Sequence, residues 1–149
     1  IERFAQAEKR PSPDVFAVTD ATLAGTMRKA ISVNPAAGTR LTYKVRIPDD
    51  GWLWVSVGMK PETWELEGDG VKFLAGISDG RAFEPLFEQH VQPFANAGDR
   101  KWLDVRVDLS TYAGEEVELI FNTYASLPGR PSDLRNDLGL WGSPEIVVR

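Results

Sequence analysis

Leu41-Thr42-Tyr43-Lys44-Val45-Arg46-Ile47 decides the fold. Leu, Tyr, Val and Ile take the odd positions and Thr, Lys and Arg the even ones, the period-two signature of a strand with one buried face. Leu103, Val105, Val107 and Leu109 repeat it against Asp104, Arg106 and Asp108, and Val117, Leu119 and Phe121 against Glu116, Glu118 and Asn122. Working outward, residues 27–33, 52–59, 71–78, 85–91 and 140–148 read as further strands. Asn34-Pro35, Asp49-Asp50-Gly51, Gly68-Asp69-Gly70, Ser78-Asp79-Gly80 and Ala113-Gly114 separate them, residues that tolerate positive φ or fix φ. About eight one-sided strands with no helices between them call for two antiparallel sheets packed face to face. The expected fold is therefore all-β, a jelly-roll β-sandwich. A closed barrel fits less well, because connections 60–70 and 92–101 suit crossings between sheets. Residues 2–10 favour a helix by propensity, and Pro11-Ser12-Pro13 ends it. A short helical or extended lead-in or linker is expected over residues 1–20, and the sandwich domain over 21–149.

With 149 residues the chain is one domain by size, and 42% hydrophobic with 26% charged residues is ordinary for a folded one. Seventeen basic against 22 acidic side chains give a net charge of −5, and no more than two basic residues adjoin, which argues against nucleic acid as a partner. The uncharged run from Leu119 to Gly129 is far shorter than a bilayer span, so no membrane-spanning segment is expected. The absence of cysteine excludes disulfides, thiolate metal sites and a Cys nucleophile, and is compatible with an extracytoplasmic location. Ile1 stands where a starting Met would, with no basic stretch leading into an apolar one, so a piece of something longer is expected.

The five tryptophans carry the most information. Leu53, Val55, Val57 and Met59 share one strand face, which leaves Trp52, Trp54 and Ser56 on the other. An outward indole is a flat apolar platform that can stack on the C–H face of a pyranose, and Trp54 is the first candidate for that role. Trp64 lies in the 60–69 loop and Trp141 between Gly139 and Gly142, positions from which both could anchor loops; Trp102 opens a strand and reads as core or rim packing. Residues 125–139 form the longest stretch without alternation. Within it Arg130, Asp133, Arg135, Asn136 and Asp137 offer the donors and acceptors that sugar hydroxyls or a carboxylated glycan need.

The order of segments resembles the galactose-binding-domain-like jelly roll of bacterial carbohydrate-binding modules and accessory domains. The resemblance runs over residues 25–149. It is carried by Asn34-Pro35, Leu41 to Pro48, Leu53 to Gly58, Gly68 to Phe73, Trp102 to Ser110, Tyr112 to Gly114, Val117 to Phe121 and Gly139 to Ile146. In that family the cross-sheet loops at one rim make the sugar site, which implies Trp64, His90 and the 130–137 loop as ligand-binding residues beside Trp54. Such domains often hold a structural calcium ion. No local Asp-rich loop is present, so an ion here would draw its oxygens from distant segments, for example Glu67 or Asp69 with Asp137.

Catalytic readings are weak. The chain carries no nucleophile elbow, no His-Glu-x-x-His and no phosphate-cradling loop, and its single histidine, His90, follows Glu88-Gln89 on a strand as a polar rim residue would. The expectation is a non-catalytic carbohydrate-binding or accessory domain of a larger extracytoplasmic bacterial protein, with a glycan and the rest of its parent as partners. A protein-interaction sandwich without a sugar site and a small glycan-active enzyme are the alternatives.

Overall fold

The computed structural model describes residues 3–33, 38–65, 70–124 and 138–148. Ten strands are found there: β1 (Glu8–Arg10), β2 (Phe16–Leu23), β3 (Thr26–Val33), β4 (Thr39–Arg46), β5 (Gly51–Met59), β6 (Val71–Ser78), β7 (Phe83–Val91), β8 (Leu103–Asp108), β9 (Glu116–Tyr124) and β10 (Gly139–Val148). They form two antiparallel five-stranded sheets. The first has the order β1-β4-β9-β6-β7 and the second β2-β3-β10-β5-β8, which is the jelly-roll sandwich expected.

The alternating apolar residues meet between the sheets. Leu41, Tyr43 and Val45 of β4 face Leu53, Val55 and Val57 of β5 across a core completed by Phe73, Phe121 and Ile31. Trp141, 1% exposed, lies at its centre, with Phe73 and Phe121 edge-on at centroid distances of 5.0 and 4.8 Å. It is thus a core residue on β10 rather than a loop anchor. Strand parity turns the indole inward.

The eight strands expected from the sequence are present, and two more precede them. β2 pairs with β3 along its whole length through a hairpin at Ala24 and Gly25, both at positive φ. The helix expected over residues 2–10 is instead a single 3₁₀ turn at Phe4–Gln6 followed by β1, which adds to the edge of β4 with Lys9 opposite Leu41. Nine residues are too few for a helix to hold by propensity alone, whereas β4 offers an unpaired edge and the core takes up Phe4 and Ala7. Much of the segment expected as a lead-in is therefore paired into the two sheets.

β10 breaks register between Gly142 and Glu145, where Ser143 adopts φ 43° and Pro144 follows. Before this bulge β10 lies between β3 and β5; after it, β10 continues against β5 alone.

Candidate functional site

The outer face of the second sheet is built in two zones. Near the end of β5, Trp102 covers the outer face of the sheet, 7% exposed, packed with Leu23, Ala30 and Leu140. Gly142 makes room for it, and Gly58 for Leu23 beside it. A Cβ at Gly142 would stand 2.6 Å from the Trp102 ring, and one at Gly58 2.5 Å from Leu23 Cδ1. The Trp102 Nε1 donates to Thr26 O at 2.9 Å. Trp64 packs against the same cluster and donates from Nε1 to Met59 O at 2.9 Å, so it anchors its loop, half-buried, and is not a free platform.

Beyond Trp102 the face turns polar. Arg28 Nη1 donates to Asp104 Oδ1 at 2.5 Å and to the Ser56 hydroxyl, which itself donates to Asp104 Oδ1 at 2.6 Å. The Ser56 hydrogen bond and then Arg28 hold the Asp104 carboxyl below the usual carboxylate range. Three strands thus fix one carboxylate in place. As an exposed ion pair it adds little stability, so its consequence is geometric.

Next along β5 stands Trp54, half-buried on the outer face as its parity demands. Its cross-strand partner Arg106 lays a guanidinium over the indole, 4.4 Å from the ring centroid. Sequence reasoning gave the direction of Trp54 but not this cover. Arg28, Trp54, Ser56, Asp104, Arg106 and Glu145 line a cleft of about 370 Å³. An indole under a planar cation, beside a fixed carboxylate, can bind a polyhydroxylated ring by stacking and by hydrogen bonds of both polarities.

Of the other expected site residues, only His90 is described besides Trp64. His90 is on β7, opposite Lys72, on the outer face of the first sheet, where Lys72 also pairs with Glu88 at 3.2 Å. Roughly 10 Å of sandwich separates the mean planes of the two sheets and hence that face from Trp54. His90 is therefore not brought to Trp54. Arg130, Asp133, Arg135, Asn136 and Asp137 lie outside the described residues, as do Glu67 and Asp69. The calcium expectation therefore rests on residues with no described placement. Among the described residues no three His, Asp or Glu side chains gather to hold a metal ion.

Gly76-Ile77-Ser78-Asp79-Gly80 does spell Gly-x-Ser-x-Gly, yet it closes the β6–β7 hairpin instead of a strand-to-helix elbow. Ser78 Oγ accepts from Gly80 N, and Asp79 Oδ1 from Arg81 N and Ala82 N, so both side chains serve the turn.

No family model matches the chain. An uncharacterized protein of Archaeoglobus fulgidus is 41% identical over 104 residues, 69% of this chain and 25% of that protein; the chain spans a quarter of its relative's length. Among solved structures, the module TmCBM61 in complex with β-1,4-galactotriose superposes with a TM-score of 0.63 at 13% identity, covering 98% of this chain and 90% of that one. The CBM51 module of Clostridium perfringens GH95, in complex with methyl-galactose, gives 0.57 at 18% identity over 95% and 87% of the two chains. A Clostridium perfringens ZmpB structure, in which two CBM51 domains accompany a catalytic domain, gives 0.57 at 16% identity over 95% of this chain and 13% of that one. The chain therefore has the jelly-roll fold of carbohydrate-binding modules, as its sequence resembles.

Proposed function

We propose that the protein is a non-catalytic carbohydrate-binding domain, and that it binds its glycan on the outer face of the second sheet. The observation that carries this reading is the Trp54–Arg106 stack opening beside the fixed Ser56–Asp104–Arg28 network. A sugar ring meets the donors of the Arg106 guanidinium and the acceptor oxygens of Asp104 and Glu145, with the part of the half-buried Trp54 indole that Arg106 leaves uncovered as the apolar surface. An ionised Asp104 suits an acceptor and not a general acid, which would need a raised pKa. The fold supports the reading, since neighbours of the same architecture were solved with galactosides bound.

The chain covers a small part of the ZmpB chain and a quarter of its sequence relative, which supports a place as an accessory domain in a longer protein. Glycans of this kind are met outside the cytoplasm, and the domain is proposed to work there. A calcium ion has no part in the binding mechanism proposed. A broad glycan array, run with calcium and with a chelator, tests the reading. Selective retention in both conditions supports it, retention lost in chelator would bring the ion into the mechanism, and silence from a folded sample contradicts it.

A further inference from the structure

The second sheet ends at β8, and among the described residues no strand pairs with its outer edge. Leu103, Val105 and Val107 turn inward against the core yet stay half-buried, because no strand lies beyond them; Asp104, Arg106 and Asp108 alternate with them, exposed. β8 carries no proline, no glycine and no register break along its pairing with β5. Sheet edges are usually blunted by such devices, since an open edge is a template for another strand. The other edges differ. β7 holds Pro85 and shifts register beside it, and β1 has three residues. β2 is regular, but Asp20 is its one charge.

The order of charges along β8 says what its edge fits. Laid antiparallel on a second copy about a two-fold axis at Val105, the strand sets Asp104 opposite the copy's Arg106 and Arg106 opposite the copy's Asp104. Leu103 then meets the copy's Val107, and Val105 its own counterpart. Moving the pairing by two residues either way brings Asp104 against Asp104 or Arg106 against Arg106, and moving it by one sets apolar residues against charged ones. Both hydrogen bonds to the Asp104 carboxyl end on Oδ1, and the Arg106 guanidinium makes no hydrogen bond among the described residues, so both keep capacity for a facing charge.

We propose that β8 pairs antiparallel with β8 of a second copy of this chain, joining their second sheets into one continuous sheet. Leu103, Val105 and Val107 of the two copies make the inner side of the seam, and the two facing Asp104–Arg106 pairs its outer side. A seam this short is a small interface, so the association is weak and concentration-dependent. With strands about 4.8 Å apart, the two Trp54 indoles stand about 15 Å from each other on one face. That two such clefts hold one chain of sugars more tightly than one does rests on the glycan reading; the pairing itself does not.

Sedimentation equilibrium of the chain without any glycan is expected to show a dimer fraction that rises with protein concentration. Val105→Cys tests the register, because the chain has no cysteine of its own and facing Cα atoms in antiparallel strands lie about 4.5–5.5 Å apart, within disulfide range. Under oxidised glutathione it is expected to cross-link at least about tenfold faster than Val107→Cys, whose two thiols stand out of line across the seam. Arg106→Glu and Asp104→Lys, both at exposed positions, each set like charges across the seam and are expected to weaken self-association about tenfold. An equimolar mixture of the two makes every facing pair opposite in sign and is expected to restore association. A monomer at every concentration up to about 1 mM, equal cross-linking at positions 105 and 107, or no recovery on mixing would each overturn the proposal, whatever the glycan array shows.

Discussion

The two outer faces of the sandwich make an instructive contrast. On the first sheet, Lys44 stands opposite Glu118, Arg46 opposite Glu116, and Lys72 pairs with Glu88. Opposite charges across exposed strands need nothing further from a partner, and this is how a solvated sheet face is finished. On the second sheet, three strands converge on one carboxylate, an arginine lies over an indole, and a cleft remains open between them. A face that spends this much geometry on fixing polar groups, with little stability to gain from exposed pairs, is built to present them. The lesson is that alternation alone does not separate a solvated face from a binding face; the cross-strand partner does.

Four variants probe the contrast, in descending order of effect. Trp141→Ala removes the shared centre of both sheets and is expected to destabilise by about 3–5 kcal/mol, read as a large fall in the denaturant midpoint. A near-neutral result would mean that the core is centred elsewhere. Gly142→Ala pushes a methyl into the Trp102 ring and is expected to cost about 1–3 kcal/mol, with altered indole fluorescence. The outer face would then lose the floor that holds Arg28, whose guanidinium lies 5.7 Å from that ring.

Acid should act on one face more than the other. Asp104 has its folded-state pKa lowered from 3.8, so its network contributes stability above that value and loses it as the pH falls through the folded pKa. Glycan retention is expected to stay level down to about pH 4 and to drop below it. Ser56→Ala removes the largest cause of the lowering and should move the drop upward in pH; an unmoved profile would separate Asp104 from binding. The smallest effect is expected for His90→Ala, which alters the charge-matched face and should leave both retention and melting temperature within error.

Much of this fold is legible in the sequence, for reasons visible in particular strands. β4, β5 and β8 each turn an alternating apolar set toward the core, and that alternation states it plainly. β2 is hidden because Asp20 and Thr22 occupy alternate positions with Phe16 and Val18, and because its turn uses Ala24 at positive φ, where Asn or Gly would have signalled a hairpin. The site is legible only in part. The outward direction of Trp54 follows from Leu53 and Val55, but Arg106 over the ring and Asp104 beside Arg28 depend on the register of β5 with β8 and on β3 standing two strands away. No local spacing encodes that register. Trp102 could be placed on the rim but not over the sheet, because the glycine that admits it, Gly142, lies 40 positions away. His90 stands on the outer face of the first sheet, opposite Lys72, and the 130–137 loop expected beside it lies outside the described residues.

The most direct test compares the faces on one ligand. Trp54→Ala and Arg106→Ala on one side, and Lys72→Ala and His90→Ala on the other, are titrated calorimetrically with the best glycan from the array, and the melting temperature of each is recorded. The account predicts that the first pair abolishes binding while melting within a few degrees of the native domain, and that the second pair binds as the native domain does. Full binding by Trp54→Ala and Arg106→Ala, or its loss in Lys72→Ala or His90→Ala, would contradict it.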